Sequence, residues 1–560
     1  MKFVVTKPRA KATEEQSTTD EPLAWSVAPA RGQDKYRQPP RPSLEELQRL
    51  GAIPPVVIDP NDKDRKRLIV QRQKITVLSL GEIEAIKQQG KAYIGRNAID
   101  AEEVDVGVVR VSSCPNPDAE FKDRPVPNYT VVLEFSGKSA EEIAQQDFFF
   151  GSEKLKTVQS NNFVLSGDPT GQKPSPPIQD GASASIGTSD FQVADATDVG
   201  QYPELNDSVV AVIDSGAKFD LANRPHASLY EYKNRKGVKR KLRLVRGKPV
   251  CGIDKTGIGY CGIGSYLELP VPTPAPMTVL TSLSSGQIRE SAFDDAPGRH
   301  GTYVTAILNQ ESPDAVGVLP VKAFNWSGFG TLFDVLDALN YVLAQKRSGV
   351  PITVLNASWV GSVDAAGLEL LRSKFKQLEQ AGIIVVAAAG NEGRDLGGLE
   401  LYPARFSTEL DNVITVTSVE PTFRPVGLGS LADRFADHVA ADGKDTILDH
   451  LGLNTALFDL LLRGYKVVGN YSAKYVSVGV FGRRWSGYSS PFHQEPALLA
   501  RTSFATAYVS GQVAAHLLAN PTSPTSSMAD IRTQILNALT RRERSLLRTV
   551  QEGRLLTVNP

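Results

Sequence analysis

The sequence predicts an α/β protein in which a mainly parallel sheet is flanked by helices, with a small α+β module in front of it. Two apolar runs, residues 208–213 and 383–389, lack the alternation of a half-buried strand. Runs of this kind are typical of strands that are buried on both faces of a parallel sheet. Two further segments, residues 304–308 and 507–515, carry apolar residues at helical spacing. Buried strands together with amphipathic helices indicate this fold class.

The first apolar run continues to Asp214, which is followed by a serine and a glycine. An acid at the carboxyl end of a parallel strand lies at the edge of the sheet where α/β proteins build their sites. Asp214 is therefore a candidate functional acid. The alternative is that Asp-Ser-Gly forms an ordinary turn, in which the carboxylate only caps the backbone.

The second segment begins at His300, and Val304, Ile307 and Leu308 follow it at helical spacing. The histidine is therefore predicted at the start of a helix, with glycines on either side that allow close approach to the backbone. A histidine before a helix is more often structural. Among the six histidines of the chain, however, this is the one with a glycine-flanked strand-to-helix setting.

The third segment is a buried-type strand that narrows to Ala388, Ala389 and Gly390 and then reaches Asn391 in a glycine-rich turn. Small side chains at the end of a strand leave room for a ligand to approach the backbone. The amide of Asn391 can donate a hydrogen bond there. The alternative interpretation is a plain strand-to-turn transition.

The fourth segment places Ser503 directly before the apolar helical run at residues 507–515. The first turn of a helix has unpaired N–H groups and the positive end of the helix dipole, which favour a developing negative charge. Ser503 is therefore a candidate nucleophile. The alternative is an ordinary helix cap.

These four segments, in this order, resemble the subtilisin-like serine proteases, or subtilases. The resemblance implies that Ser503 is the nucleophile, that His300 is its general base, and that Asp214 orients the histidine. It also implies that the Asn391 side chain and the Ser503 N–H stabilise the oxyanion. The implied function is a serine endopeptidase that works through an acyl-enzyme, with a protein or peptide as substrate.

Substrate-binding residues follow from the same resemblance. The segment at residues 352–361 matches the family strand whose end pairs with an extended substrate, so Ser358, Trp359 and Val360 are the expected edge. Trp359 replaces a smaller aliphatic residue and Val360 replaces a glycine, which predicts narrower subsites. The residues Ala388, Ala389 and Gly390 would wall the primary pocket, for which we expect an apolar preference.

Arg501 is the main departure from the family pattern, because it stands where the family has a glycine. If that position requires a positive φ or touches neighbouring backbone, the side chain introduces strain of about 1 to 3 kcal/mol or displaces Ser503. Alternatively, Arg501 points outward and binds a carboxylate of the substrate. Two functions therefore stay open: a protease that Arg501 regulates, and a catalytically impaired subtilase-fold protein used for binding or as a scaffold.

The composition of the chain limits its function classes. The 560 residues carry a formal net charge of +0 and 41% hydrophobic residues, which gives no case for nucleic-acid or membrane binding. The first residues have no apolar segment of the secretory type, so we expect a cytoplasmic protein, with signal-less export left open. No disulfide framework is expected from Cys114, Cys251 and Cys261. No cofactor and no metal ligands are assigned, although calcium is common in the family.

Four regions are predicted along the chain. Residues 1–64 are an extended or disordered arm rich in proline, glutamine and charge. Residues 65–167, called the front module below, have mixed strand and helix patterns; the module is similar to the inhibitory propeptides of subtilases, with a partner-binding domain as the alternative. Residues 168–198 are a linker. Residues 199–560 form the subtilisin-like domain, which its front module or a protein partner would regulate.

Two insertions are expected in the subtilisin-like domain, at about residues 228–294 and 422–469. The first contains the basic run 233–243, which we interpret as a solvated hairpin. The second contains an apolar helical pattern at residues 447–462. Residues 527–547 are predicted to form one or two closing helices.

Overall fold

The structure of the protein is a computed structural model. It describes residues 54–62, 67–112, 116, 128–150, 155–156, 159–166, 191–193, 208–217, 229–233, 239–244, 300–324, 328–423, 462–481, 501–521, 523 and 525–557.

The front module is an antiparallel sheet with two helices, together with one strand from the end of the predicted arm. Its elements are β1 Val56–Ile58, β2 Leu68–Ser79, α1 Leu80–Gln89, β3 Lys91–Gly95, β4 Glu102–Val111, β5 Asn128–Phe135, α2 Ala140–Gln145, β6 Asp147–Phe150, β7 Leu155–Lys156 and β8 Gln159–Ser166. The strand order is β8-β2-β5-β4-β3-β6-β7, with β1 beside β2. Since β1 pairs with β2, the module's sheet begins before residue 65.

Local signals in the sequence explain both helices of the front module. Ser79 and Glu82 form a capping box at the start of α1, and α1 ends at Gly90 in the left-handed conformation. Ser139 and Glu142 form a second capping box, at the start of α2. Buried aliphatic and aromatic side chains of the strands, with Ile83 and Ile143 from the helices, make a core that belongs to the module itself.

The remaining elements begin with one strand, which lies in the predicted linker, and continue through the predicted subtilisin-like domain. They are β9 Phe191–Val193, β10 Val209–Asp214, β11 Leu229–Lys233, β12 Lys239–Leu244, α3 His300–Glu311, β13 Gly317–Lys322, β14 Phe329–Thr331, α4 Leu332–Arg347, β15 Ile352–Ala357, α5 Ala365–Gln380, β16 Ile384–Ala388, β17 Val413–Phe423, β18 Leu462–Val467, β19 Val478–Phe481, α6 Thr502–Ala519, α7 Met528–Leu539, β20 Thr540–Arg542 and β21 Arg554–Leu556.

Parallel strands form the centre of this domain. The sheet order is β20-β21-β19-β17-β16-β15-β10-β13-β12-β11-β9, with β18 beside β17. Pairing is parallel from β13 through β10, β15, β16 and β17 to β19. Every residue of β10 is buried, as its continuous apolar run predicts.

A hydrophobic core lies on each face of the parallel sheet. Val209, Ala211 and Ile213 of β10 contribute to the core that contains side chains of α4 and α5. Val210 and Val212 point to the opposite core, which contains side chains of α3, α6 and α7. The predicted α/β class, with helices on both faces of a mainly parallel sheet, is confirmed.

Several finer predictions can be compared with the described residues. The described residues of the basic run lie in β11 and β12, which pair antiparallel. The predicted closing segment is helical as far as Leu539 and then continues as the short strand β20, which pairs with β21. The helix predicted at residues 447–462, most of the linker and all three cysteines lie outside the described residues. In the described part of the chain, no helix is long and apolar enough to cross a membrane.

Candidate active site

The acid and the base predicted from sequence meet at the carboxyl edge of the parallel sheet. Asp214 is the last residue of β10, and His300 is the first residue of α3. Nδ1 of His300 lies 2.9 Å from Oδ1 and 3.0 Å from Oδ2 of Asp214. The Asp214 side chain is 1% exposed and that of His300 is 13% exposed. A buried carboxylate on Nδ1 fixes the ring orientation and leaves Nε2 as the nitrogen for proton transfer.

Gly301 allows the close approach of α3 to the end of β10. A Cβ atom at Gly301 would overlap the carbonyl oxygen of Gly216 and lie 3.0 Å from Oδ1 of Asp214. The Gly301 N–H donates to Oγ of Ser215 at 3.0 Å, and the Ser215 N–H donates to Oδ1 of Asp214 at 2.7 Å. The glycine after the histidine is therefore a steric requirement of the Asp–His pair.

Ser503 lies in the first turn of α6, where the sequence predicted it. It is 1% exposed, and its neighbour Phe504 stacks 5.4 Å from the His300 ring, centroid to centroid. Oγ of Ser503 donates to the carbonyl oxygen of Ser358 at 3.3 Å, and Oγ of Ser358 lies 2.9 Å from the carbonyl oxygen of Ser503. Because a hydroxyl carries one proton, the Ser503 proton is directed to Ser358 in this state.

Asn391 is oriented by the residue before Ser503. Its Oδ1 accepts hydrogen bonds from the Thr502 N–H at 3.0 Å and from Thr502 Oγ1 at 2.9 Å. An N–H can only donate, so the oxygen of the amide must face Thr502 and Nδ2 must face away. Nδ2 is buried and has no hydrogen-bond partner among the described residues. A buried, unused donor beside a serine can stabilise a developing oxyanion.

The residues predicted to bind substrate are deeply placed. Ser358 and Trp359 are both 0% exposed, and the Trp359 ring lies 6.3 Å from the ring of Phe324 within a core cluster. With these two side chains buried, a substrate could reach them only through the backbone. Val360 is 6% exposed.

The wall of the predicted primary pocket contains polar groups as well as small residues. Ala388 and Ala389 are 0% exposed. A Cβ atom on Gly390 would lie 2.5 Å from Nδ2 of Asn470 and 2.8 Å from Oε2 of Glu392. The sequence suggested no charge near this wall, whereas the structure brings the Glu392 carboxylate next to it.

Arg501 has an unstrained backbone. It is the N-cap residue of α6 with φ −169° and ψ 168°, and its side chain does not cap the helix. This is extended backbone that any residue adopts. Strain from a positive φ, one of the two causes considered for Arg501, is therefore absent.

The last strand of the front module contacts the residue that follows the predicted substrate edge. β8 pairs antiparallel with β14, with Leu165 opposite Gly330. The Leu165 side chain is 2% exposed, and a Cβ atom on Gly361 would overlap its Cδ2. Gly361 directly follows the edge Ser358–Val360, so a side chain of β8 contacts the residue at the end of that edge.

Polar contacts join the front module to α4 and α5. Nη1 of Arg110 lies 2.6 Å from Oδ1 of Asp334, and the guanidinium sits 4.3 Å above the Phe333 ring centre. Oδ1 of Asn116 accepts from Lys374 Nζ at 2.6 Å and from Asn340 Nδ2 at 3.0 Å. The module is therefore anchored to both helices.

Two residues of the site have weaker signals in the sequence. Thr502 precedes Ser503, and its hydrogen bonds to Asn391 are seen only in the folded structure, once α6 is in position. Asn470 contacts the turn that carries Asn391, yet no local pattern marks it. Within the described ranges, no group of three or more His, Cys, Asp or Glu residues could hold a metal ion.

Comparisons with known proteins agree with the family resemblance found in the sequence motifs. A model of the subtilase family, Peptidase_S8, matches residues 206–552. "Subtilisin-like protease 2" of Plasmodium falciparum is 32% identical over 138 residues, which are 23% of this chain and 10% of that protein. "Subtilisin-like protease 3" of the same organism is 24% identical over 141 residues, or 21% of this chain and 17% of that protein. The chain thus matches only a small part of these relatives' length.

The solved structures that match the chain share little sequence with it. The A-subunit of the AB5 toxin from E. coli has a TM-score of 0.35 and 16% identity, with 63% of this chain and 90% of that chain covered. A cold adapted subtilisin-like serine proteinase also has a TM-score of 0.35 and 16% identity, with 63% and 89% covered. The family model covers a longer continuous part of the chain than either curated relative does.

Proposed function

Since the chain belongs to the subtilase family, as the match over residues 206–552 shows, we propose that it is a serine endopeptidase that hydrolyses peptide bonds through an acyl-enzyme. The observation that carries the proposal is the meeting of Asp214, His300, Ser503 and Asn391 at one edge of the sheet. Asp214 contacts Nδ1 of His300 with both oxygens. Asn391 keeps a buried donor beside the helix that carries Ser503.

The proposed reaction follows from these positions. Oγ of Ser503 attacks the carbonyl carbon of the scissile bond while Nε2 of His300 takes the hydroxyl proton. Asp214 stabilises the imidazolium that forms. The negative charge on the former carbonyl oxygen is stabilised by Asn391 Nδ2 and the Ser503 N–H. When the C–N bond breaks, His300 gives its proton to the leaving amine. Water then attacks the acyl-enzyme by the same steps and releases Ser503.

In this state the nucleophile still has to change its hydrogen bond. The Ser503 proton is directed to the Ser358 carbonyl oxygen, and an attacking serine must direct it to His300. We propose that an extended substrate competes for that carbonyl, because its own backbone N–H groups need acceptors along the edge Ser358–Val360. Occupation of the edge by substrate then favours the productive rotamer of Ser503.

We further propose that the front module inhibits the site within the same chain. β8 pairs with β14, and Leu165 packs on Gly361, so the module covers the end of the edge to which an extended substrate would bind. The pair between Arg110 and Asp334 and the contacts of Asn116 add to this docking. The alternative of a catalytically impaired scaffold is not supported by strain at Arg501, whose backbone is extended.

A covalent probe tests the proposed catalysis. The full chain carrying Arg110→Ala, which weakens docking of the module, is incubated with a fluorophosphonate and the labelled serine is identified by mass spectrometry. We expect labelling at Ser503 and none when Ser503→Ala is added. The matched control is Ser523→Ala, an exposed serine, which should leave labelling unchanged. Absence of Ser503-dependent labelling in both the parent chain and Arg110→Ala would contradict the proposed enzyme.

A further inference from the structure

We propose that Asn470 is a positioning residue for the oxyanion donor Asn391. This inference rests on the proposed function, because it assigns how one catalytic group is oriented. Asn470 is 0% exposed and lies shortly after β18, far along the chain from Asn391. It acts on the turn that follows β16, and we infer no contact of its own with a substrate.

The side chain of Asn470 bonds both ends of this turn. Nδ2 donates to the Ala389 carbonyl oxygen at 2.9 Å and also to Oε2 of Glu392. Oδ1 accepts from the Arg394 N–H at 3.0 Å. These three hydrogen bonds of the Asn470 amide are all made to residues that flank Asn391 on either side.

The backbone of Asn470 adds two further connections. Its N–H donates to the carbonyl oxygen of Gly390, the residue directly before Asn391, at 2.9 Å. Its carbonyl oxygen accepts from Oγ1 of Thr417 in β17 at 2.6 Å. Through Asn470, the turn is therefore attached to a strand of the central sheet and not only to its own neighbours.

Gly390 explains why such support is needed. It has φ +94°, a left-handed conformation that only glycine adopts without strain, and a Cβ atom there would lie 2.5 Å from Asn470 Nδ2. A glycine is also the residue with the most alternative conformations to lose. The amide of Asn470 restricts those alternatives while leaving Asn391 Nδ2 uninvolved, so the donor is held in place without being consumed.

The orientation of Asn391 then depends on contacts from two different segments of the chain. Thr502 on α6 holds Oδ1 of Asn391, and Asn470 holds the backbone on either side of it. An oxyanion donor contributes only if its position matches the transition state, and small displacements weaken it strongly. Loss of Asn470 is therefore expected to lower kcat through Asn391, with a small effect on KM.

A double-mutant cycle tests this coupling. In the Arg110→Ala full chain, we expect Asn470→Ala to lower kcat by about 10-fold to 100-fold with KM changed less than about threefold. In a chain that already carries Asn391→Ala, the same substitution should lower kcat by less than about threefold, because the group it positions is absent. Equal losses in the two backgrounds would overturn the inference.

Asn412→Ala is the matched control. Asn412 is also 0% exposed, and its Nδ2 also donates to a backbone carbonyl, that of Ile383, at 2.8 Å. It lies before β17 and away from the turn that carries Asn391. Its substitution should give the same factor in kcat with and without Asn391. A coupling with Asn391 as large as that of Asn470 would show a general effect of lost stability and would overturn the inference.

A second measurement tests the positioning role of Asn470 without requiring catalytic activity. In the Ser503→Ala chain, amide hydrogen exchange of residues 389–394 is compared with and without Asn470→Asp, which keeps the size of the side chain but removes its donor. We expect faster exchange of this turn, with residues 384–386 unchanged. Unchanged exchange of the turn would overturn the inference even if Ser503 proves unreactive, whereas absent labelling of Ser503 alone would count only against the proposed function.

Discussion

Arg110→Ala is expected to open the site to covalent probes. Arg110 and Asp334 form an ion pair at 2.6 Å whose side chains are 12% and 9% exposed, and the guanidinium covers Phe333. Breaking a buried pair costs about 3 to 5 kcal/mol. Here Nε and Nη2 of Arg110 have no partner among the described residues. We therefore take the net contribution of the ion pair to docking of the front module as about 2 kcal/mol.

A loss of that size predicts a change in labelling rate. When the undocked state is a minor one, its population rises by the full equilibrium factor, which is about 30-fold for 2 kcal/mol. The rate at which a fluorophosphonate labels Ser503 should rise by the same factor. The measurement is a time course of labelling at a fixed probe concentration, with circular dichroism to show that the fold is intact.

Lys138→Ala provides the control for this prediction. Lys138 pairs with Glu102 at the same distance of 2.6 Å, but this exposed pair lies within the front module. Its removal should leave the labelling rate as in the parent chain. The reasoning is refuted if Arg110→Ala labels no faster than Lys138→Ala, or if the parent chain already labels as fast as Arg110→Ala.

Three further substitutions test, in turn, an oxyanion donor, a close packing contact and a buried charge. Asn391→Ala should lower kcat by about 100-fold to 1,000-fold with little change in KM, measured on a peptide substrate, because one oxyanion donor is lost; a change confined to KM would contradict this role. Gly301→Ala should abolish labelling of Ser503, since its Cβ would overlap the Gly216 carbonyl oxygen, whereas Gly107→Ala, with open space around it, should label normally. Burial lowers the pKa of Lys74 from 10.5 to about 8, so the charged form destabilises the fold below about pH 8, and this cost disappears as the pH rises toward 10.5. Lys74→Met should therefore raise stability by about 3 kcal/mol at pH 7 and give little gain near pH 11 in thermal unfolding; an equal gain at both pH values would point to packing alone.

Strand ends and helix starts were predictable because they depend on local patterns. Asp214 ends an apolar run, and His300 begins a run at helical spacing, so both positions follow from periodicity and from the rule that parallel strands share one edge. The capping boxes of the front module are also local. For the same reason the first turn of α6 could be located from sequence.

Contacts between distant segments could not be derived in this way. Asn470 reaches the turn of Asn391 only because β18 pairs with β17, and that pairing crosses an insertion whose length hides the relation. The carboxylate of Glu392 near the pocket wall depends on the same contact. Trp359 was expected to narrow a subsite, but the sequence could not show that its ring faces the core beside Phe324.

Arg501 shows a different limit of sequence comparison. A glycine in a family pattern has several causes, and only one of them is a positive φ. The extended backbone at Arg501 indicates that the position tolerates a side chain. The effect of Arg501 on substrate binding therefore depends on where its guanidinium lies when a substrate is bound.

The pairing of β8 with β14 also determines what happens to each partner after they separate. β14 lies at one end of the front module's sheet, so departure of the module leaves β8 as a bare edge on one side and β14 as a bare edge on the other. An uncovered strand edge attracts any extended polypeptide, including a second copy of itself. Departure of the module would therefore produce two surfaces with a tendency to pair with other chains, and such pairing would compete with re-docking of the module.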